Sequence, residues 1–194
     1  MNAAKLLMAG IISSGAYHLL IGENKAVLTQ GYYSDYTKLD DASAHDIKTY
    51  YDFMIRYQDL FYTKSLKDVS HTHFAGDNRE YISACKKISV NAEGNKIWAI
   101  IRENRKHKII SLINLCGNKD DTWNLGKNVP IIQRNISFSV AIDDSIKGIY
   151  YASPDYNNLR MKELKYSIIE NVIGRYVTFS VPVLDYWTVI DIEL

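Results

Sequence analysis

Residues 95–116, NKIWAIIRENRKHKIISLINLC, constrain the fold of this chain more than any other stretch. Two apolar runs, 97–101 and 109–115, are joined by a charged segment at 102–108. Ile and Trp dominate them, and such side chains pack well on a pleated surface. Neither run alternates, since Ile100 and Ile101 are adjacent, as are Ile109 and Ile110. Strands covered on both faces read this way, so the stretch is predicted to be the central hairpin of a sandwich. A pair of helices is the alternative, and the β-branched content and short runs argue against it. The basic cluster at 102–108 is then a solvated hairpin tip.

A core large enough for such a sandwich is available: 47% of the 194 residues are hydrophobic, in one or two domains. The formal net charge of +1 gives no reason to invoke nucleic acid or an anionic membrane. Two cysteines, Cys85 and Cys116, do not make a disulfide scaffold. Two buried thiols are expected, with a single bridge as the alternative. The 15 tyrosines suit wet, sugar-facing surfaces and ordinary sandwich rims alike.

The first 23 residues look like a secretion signal only superficially, with one lysine and an apolar run broken by Gly10, Ser13, Ser14 and Gly15. Asn2 is expected to cap a short helix over residues 3–9 that Gly10 ends, with a buried strand from Ile11. Ser14, Gly15 and Ala16 are small enough for close backbone approach. No run reaches the ~18 apolar residues of a membrane-spanning helix. Residues 22–39, with Gly31, read as loop. From Ser43 the period changes: Ile47, Tyr50, Tyr51, Met54, Tyr57 and Phe61 predict a helix over 44–62. Ser43 would cap it, and Asp52, Arg56 and Asp59 would face solvent. Residues 67–79 are polar and read as a linker between a small domain (1–66) and a larger one (80–194). His71 and His73 have the spacing of metal ligands on a strand, but no cysteine or carboxylate cluster joins them, so no metal is expected.

After Glu80 the pattern is β throughout. Strands are predicted at 81–90, 97–101, 109–115, 136–142, 146–152, 164–169, 175–181 and 188–194. Turns fall at 91–94 and 143–145, and a loop at 117–129 carries Trp123 and Asn124. Ser153, Pro154 and Asp155 break a strand, because proline cannot donate to a ladder. Asp155 reads as a turn aspartate bonding its own backbone. In the last strand Ile190, Ile192 and Leu194 face opposite to Asp191 and Glu193. The fold class is therefore mostly β, an antiparallel two-sheet sandwich of Greek-key type behind a small α/β segment.

No Gly-rich phosphate loop, nucleophile elbow or cysteine–histidine pair is present, and no cofactor is expected. Trp123 could stack on a sugar ring or plug the end of the sandwich. The wording of several segments, in order, resembles glycoside hydrolase family 66, the dextranases and cycloisomaltooligosaccharide glucanotransferases. SerGlyAlaTyrHis and LeuLeuIleGlyGlu (14–23) resemble that family's last barrel strand, and TyrTyrAspPheMetIleArgTyrGlnAspLeu (50–60) the helix closing the barrel. IleTrpAlaIleIleArg (97–102), IleSerLeuIleAsnLeu (110–115), ThrTrpAsn (122–124), AlaSerProAsp (152–155) and ValProValLeuAspTyrTrp (181–187) are similar to its C-terminal domain. The resemblance implies a retaining enzyme on α-1,6-glucans, with an Asp nucleophile and a Glu acid/base flanking the bond at about 5 Å. Neither residue matches a position here, so the resemblance implies a C-terminal piece, inactive alone, whose first segment is the last βα unit of a (β/α)8 barrel. It also implies an α-glucan or isomaltooligosaccharide as partner, and secreted or cell-surface parent enzymes. Gly15, Tyr17 and His18 match the family's Gly-Tyr-His-like turn at the active-site end of the barrel, with Ala16 where a second glycine is common. They become substrate contacts in that view, while His18 bonding a carbonyl is the structural alternative. A lone barrel strand would leave an apolar flank, so either residues 11–21 lean on the sandwich or they pair with another copy or another chain. Residues 1–62 are expected to be poorly ordered or covered by another copy or by the missing barrel.

Overall fold

The computed structural model describes residues 1–28, 36–123, 125–143 and 145–194. Gly31 and Asn124, and the middle of the turn at 143–145, lie outside them. In chain order the elements are α1 (Asn2–Ser13), β1 (Ala26–Leu28), β2 (Tyr36–Lys38), α2 (Asp41–Arg56), α3 (Gln58–Tyr62) and β3 (Lys67–Asp68). Then follow β4 (Tyr81–Ser83), β5 (Ile88–Ser89), β6 (Ile97–Glu103), β7 (His107–Asn114), β8 (Gln133–Ala141) and β9 (Gly148–Ala152). The chain ends with β10 (Lys162–Glu163), β11 (Tyr166–Asn171), β12 (Gly174–Leu184) and β13 (Trp187–Glu193).

Two sheets form the sandwich. One has seven strands in the order β10-β9-β13-β7-β6-β3, with β5 also pairing β6; the other has four, β11-β12-β8-β4. Every described pairing is antiparallel except the two-residue β5–β6 pair, which is parallel. The predicted hairpin is there: β6 and β7 sit inside the larger sheet, Ile101 opposite Ile110. Its missing alternation has a plain cause. Ile97, Ala99, Ile101, Ile110 and Leu112 face the four-stranded sheet, where Phe138, Val140, Val177 and Phe179 complete one core. Ile100, Ile109, Ile113 and Leu115 face the other way and share a second core with the helices.

Of the alternatives for the N-terminal segment, that second core favours the one in which it leans on the sandwich. Leu6, Met8, Ala9 and Ile12 of α1, and Ile47 and Phe53 of α2, are fully buried against Trp187, Val189 and Ile113. Helices α1 and α2 thus rest on the apolar outer face of the large sheet, while Leu19 and Ile55 stay exposed. Gly10 does not end the first helix. It lies inside α1, and a Cβ there would come 2.7 Å from the Trp98 ring, so the glycine lets helix and sheet approach. Ile11 and Ile12 are consequently helical, and residues 11–22 hold no strand.

Smaller corrections are of two kinds, local backbone geometry and partners distant in sequence. Residues 22–39 contain a short hairpin, Ala26 opposite Lys38. The long helix divides at Tyr57 (φ −112°, ψ 27°), and its cap is Asp40, which accepts the Ser43 amide at 2.7 Å. Tyr81 and Ile88 belong to different sheets rather than one strand. In the stretch read as linker, β3 pairs the edge of β6, and His71 and His73 lie on a π-helical turn, Ser70–Phe74. In β13 both faces are buried: Asp191 is only 6% exposed and is held by His107 of β7. Arg102 belongs to β6 and is half-buried, so the solvated tip shrinks to Asn104, Arg105 and Lys106. Both thiols are free; Cys116 is buried and Cys85 half-buried. Among the described residues no helix is long and apolar enough to cross a membrane.

Candidate functional site

The last turn of α1 unwinds through Gly15. The Ser14 amide donates to Gly10 O, Gly15 to Ile12 O and Ala16 to Ile11 O, at 2.9–3.1 Å. Gly15 takes φ +83°, the left-handed conformation that ends helices at low cost for glycine. Tyr17 then projects outward, 65% exposed, with its ring stacked on Tyr62 at 4.2 Å and 13°. The Tyr62 hydroxyl donates to Ala16 O at 3.2 Å. Burial first, and then Tyr17, push the Tyr62 phenol up to about 12. Residues 18–21 run back along α2, where the Tyr51 hydroxyl accepts the Leu20 amide at 2.6 Å.

His18 is half-buried, and burial lowers its pKa from the usual 6.5. Its Nδ1 is buried with no hydrogen-bond partner among the described residues, so the carbonyl-bonded alternative has no support from that nitrogen. Gly15, Tyr17 and His18 follow one another along this turn, with the Tyr17 ring outward on Tyr62 and the His18 Nδ1 inward. Trp123 is elsewhere. It is half-buried and packs on Trp98 with centroids 6.0 Å apart. Trp98 meets α1 at Gly10, whereas Arg102 meets it at Gly15. Four strand residues separate Trp98 from Arg102, roughly 13 Å. One small sugar unit cannot touch both Trp123 and Tyr17.

Two features were invisible in the sequence. A cleft of about 860 Å³ opens at the β6–β7 tip, lined by Asp59, Thr63, Ser65, Asn104, Arg105 and His107 among others. His107 in its wall holds Asp191 through Nδ1 at 2.9 Å. The other is Asp155, which accepts the Tyr50 hydroxyl at 2.8 Å and the Trp187 and Tyr186 amides at 2.9 and 3.1 Å. The backbone it binds is 31 and 32 residues away, while in its own turn it accepts the Ser153 hydroxyl at 3.4 Å. Burial raises its pKa against the pull of those bonds and of Lys5 at 3.8 Å. Glu103 is similarly engaged, by the Tyr81 hydroxyl at 2.8 Å and Lys108 at 3.0 Å. Among the described residues no group of three or more His, Cys, Asp or Glu side chains could hold a metal ion.

The family model for glycosyl hydrolase family 66 matches residues 1–191. The chain belongs to that family. A cycloisomaltooligosaccharide glucanotransferase of Niallia circulans is 30% identical over 193 residues, which is 97% of this chain and 19% of the relative. A second from the same organism is 28% identical over 194 residues, again 97% of this chain and 19% of the relative. Among solved structures, a Paenibacillus sp. cycloisomaltooligosaccharide glucanotransferase complexed with cycloisomaltoheptaose superposes with TM-score 0.84 at 27% identity. That match covers 98% of this chain and 27% of the other. This family 66 chain therefore spans about a fifth of the length of the curated relatives it matches.

Proposed function

We propose that this chain is the C-terminal accessory part of an α-1,6-glucan-processing enzyme, non-catalytic by itself, whose sandwich braces the catalytic portion of the family architecture. The observation that carries the reading is the family match along the whole described fold, together with the use its most buried carboxylates are put to. Asp155, Asp191 and Glu103 each serve a hydrogen-bond network that joins elements distant in sequence. A retaining glycosidase needs two carboxyls facing one open subsite, one of them free to attack. A carboxylate that accepts two amides and a phenol from below is not free in that sense. The test is direct. Purified chain incubated with dextran is expected to release neither reducing sugar nor cyclic product; appearance of either would overturn the reading.

A second reading, α-glucan binding, is favoured by one observation: the exposed Tyr17 ring, backed by Tyr62, offers a flat apolar surface of the kind sugars stack on. The Gly15–His18 turn is its centre, with Trp123 a separate contact reached by a longer oligosaccharide. Isomaltooligosaccharide added up to millimolar concentration should perturb tyrosine and tryptophan fluorescence, the tryptophan response vanishing in Trp123→Ala. No spectral change at millimolar sugar would dismiss it.

A further inference from the structure

On the helix-facing side of β6, Trp98, Ile100 and Arg102 follow one another at every second position. The first two are packing residues; the third is a cation where two helices finish. Arg102 Nη1 donates to Phe61 O, in the last turn of α3, at 2.5 Å. The same guanidinium lies under Gly15. A Cβ built on Gly15 would be 2.7 Å from Nη1, 2.9 Å from Nη2 and 3.0 Å from Cζ, so the two-nitrogen end of the guanidinium lies against the glycine. Carbonyl ends of helices carry partial negative charge, so a cation between two of them is favourably placed.

We infer that Arg102 is the positioning residue for the Gly15–His18 turn, locking the ends of α1 and α3 together so that Tyr17 stacks on Tyr62. The inference rests on the sugar-binding reading only for its consequence, not for its geometry. Phe61 is next to Tyr62, so fixing the Phe61 carbonyl fixes the root of the lower ring. Gly15 is two residues before Tyr17, so the floor beneath Gly15 sets the start of the upper one. The Tyr62 hydroxyl closes the loop on Ala16 O. Lysine could reach one carbonyl, but it has no second nitrogen to lie against Gly15 while the first holds the Phe61 carbonyl. Gly15 is favoured by φ +83°, and a Cβ there would in addition displace the guanidinium end of Arg102.

The experiment uses the whole chain and the variants Arg102→Met, Arg102→Lys and Gly15→Ala. Amide hydrogen exchange reads the turn without any ligand. In Arg102→Met the Gly15 and Ala16 amides should exchange about tenfold faster, the scale of one lost charged hydrogen bond, while Ile101 and Ile110 keep their protection. Arg102→Lys, the milder change, should fall between wild type and Met. Isomaltohexaose affinity should drop about tenfold in Arg102→Met and in Gly15→Ala, and by no more in the double variant, because both break one unit. Unchanged exchange at Gly15 and Ala16, protection lost evenly along β6 and β7, or affinity losses that multiply in the double variant would each overturn the assignment. If wild type binds no isomaltohexaose, the sugar reading fails while the exchange result still decides the role of Arg102.

Discussion

In the seven-stranded sheet, β13 buries every residue from Trp187 to Ile192; in the four-stranded sheet, β8 buries Ile136, Phe138 and Val140 and leaves Asn135 and Ser137 exposed. Both sheets give one face to the same core. They differ in what covers the other. Helices α1, α2 and α3 cover the large sheet, and their core is aromatic: the Trp187 ring lies 4.9 Å from Phe53, 5.5 Å from Phe61 and 5.9 Å from Tyr50. The outer face of the small sheet carries Ser137 opposite Ser180 and Ser139 opposite Thr178. A sheet face with a neighbour can be as apolar as the core, whereas this bare one is serine and threonine at its centre, with Ile82 and Ile169 exposed on its edge strands.

The comparison breaks first at Trp187. Trp187→Ala is expected to cost about 3–5 kcal/mol, since the hole lies between rings that cannot collapse into it. The melting temperature should fall by roughly 6–20 °C at this chain length. A loss under about 1 kcal/mol in urea denaturation would mean that the helices are not held by this core. Asp155→Ala comes next, at roughly 3 kcal/mol, because a phenol and two amides lose their acceptor in a dry place. Asp155→Asn should recover only part, since its amide group turns a donor toward donors. An Asn variant as stable as wild type would show that the carboxylate is replaceable there.

How much of this was legible follows the same division. The β6–β7 hairpin could be read because a strand covered twice writes its burial into its own run of isoleucines. The alternation of β8 was readable for the opposite reason, a wet face. What could not be read were contacts made across the fold. Gly10 looks like a helix stop, and only Trp98, 88 positions later, makes it a helix interior. Asp155 looks like a turn residue until Tyr50 arrives from α2. Within the candidate site, Gly15, Tyr17 and His18 came from resemblance to a family and are neighbours in the chain; the stacking of Tyr17 on Tyr62 is what the structure adds. Arg102 gave no signal, because an arginine beside Asn104, Arg105 and Lys106 reads as one more tip cation.

Gly10→Ala tests the helix-clad side more finely. Alanine gains about 1 kcal/mol of helix propensity over glycine. Its methyl would need the Trp98 ring to move, from an approach of 2.7 Å. Overpacking of this kind costs about 1–3 kcal/mol, so the net should be destabilising by about 1 kcal/mol. A stabilised Gly10→Ala would show that Trp98 yields freely.

The smallest effect is also the cleanest comparison, one substitution made on each outer face. Ser111 of β7 is 2% exposed and stands opposite Ile100 and Val189, both in the helix-facing core. Ser180 of β12 is exposed opposite Ser137. Valine is the better strand residue at either place. At Ser180 it meets open solvent and should change stability by less than about 0.5 kcal/mol. At Ser111 it must find room beneath the helices, and overpacking should outweigh the gain by about 1 kcal/mol. Parallel urea titrations of the two variants measure the difference directly. Equal effects would mean that the helices rest on the large sheet loosely enough to take an extra side chain, and that the contrast between a clad and a bare sheet is one of composition and not of packing.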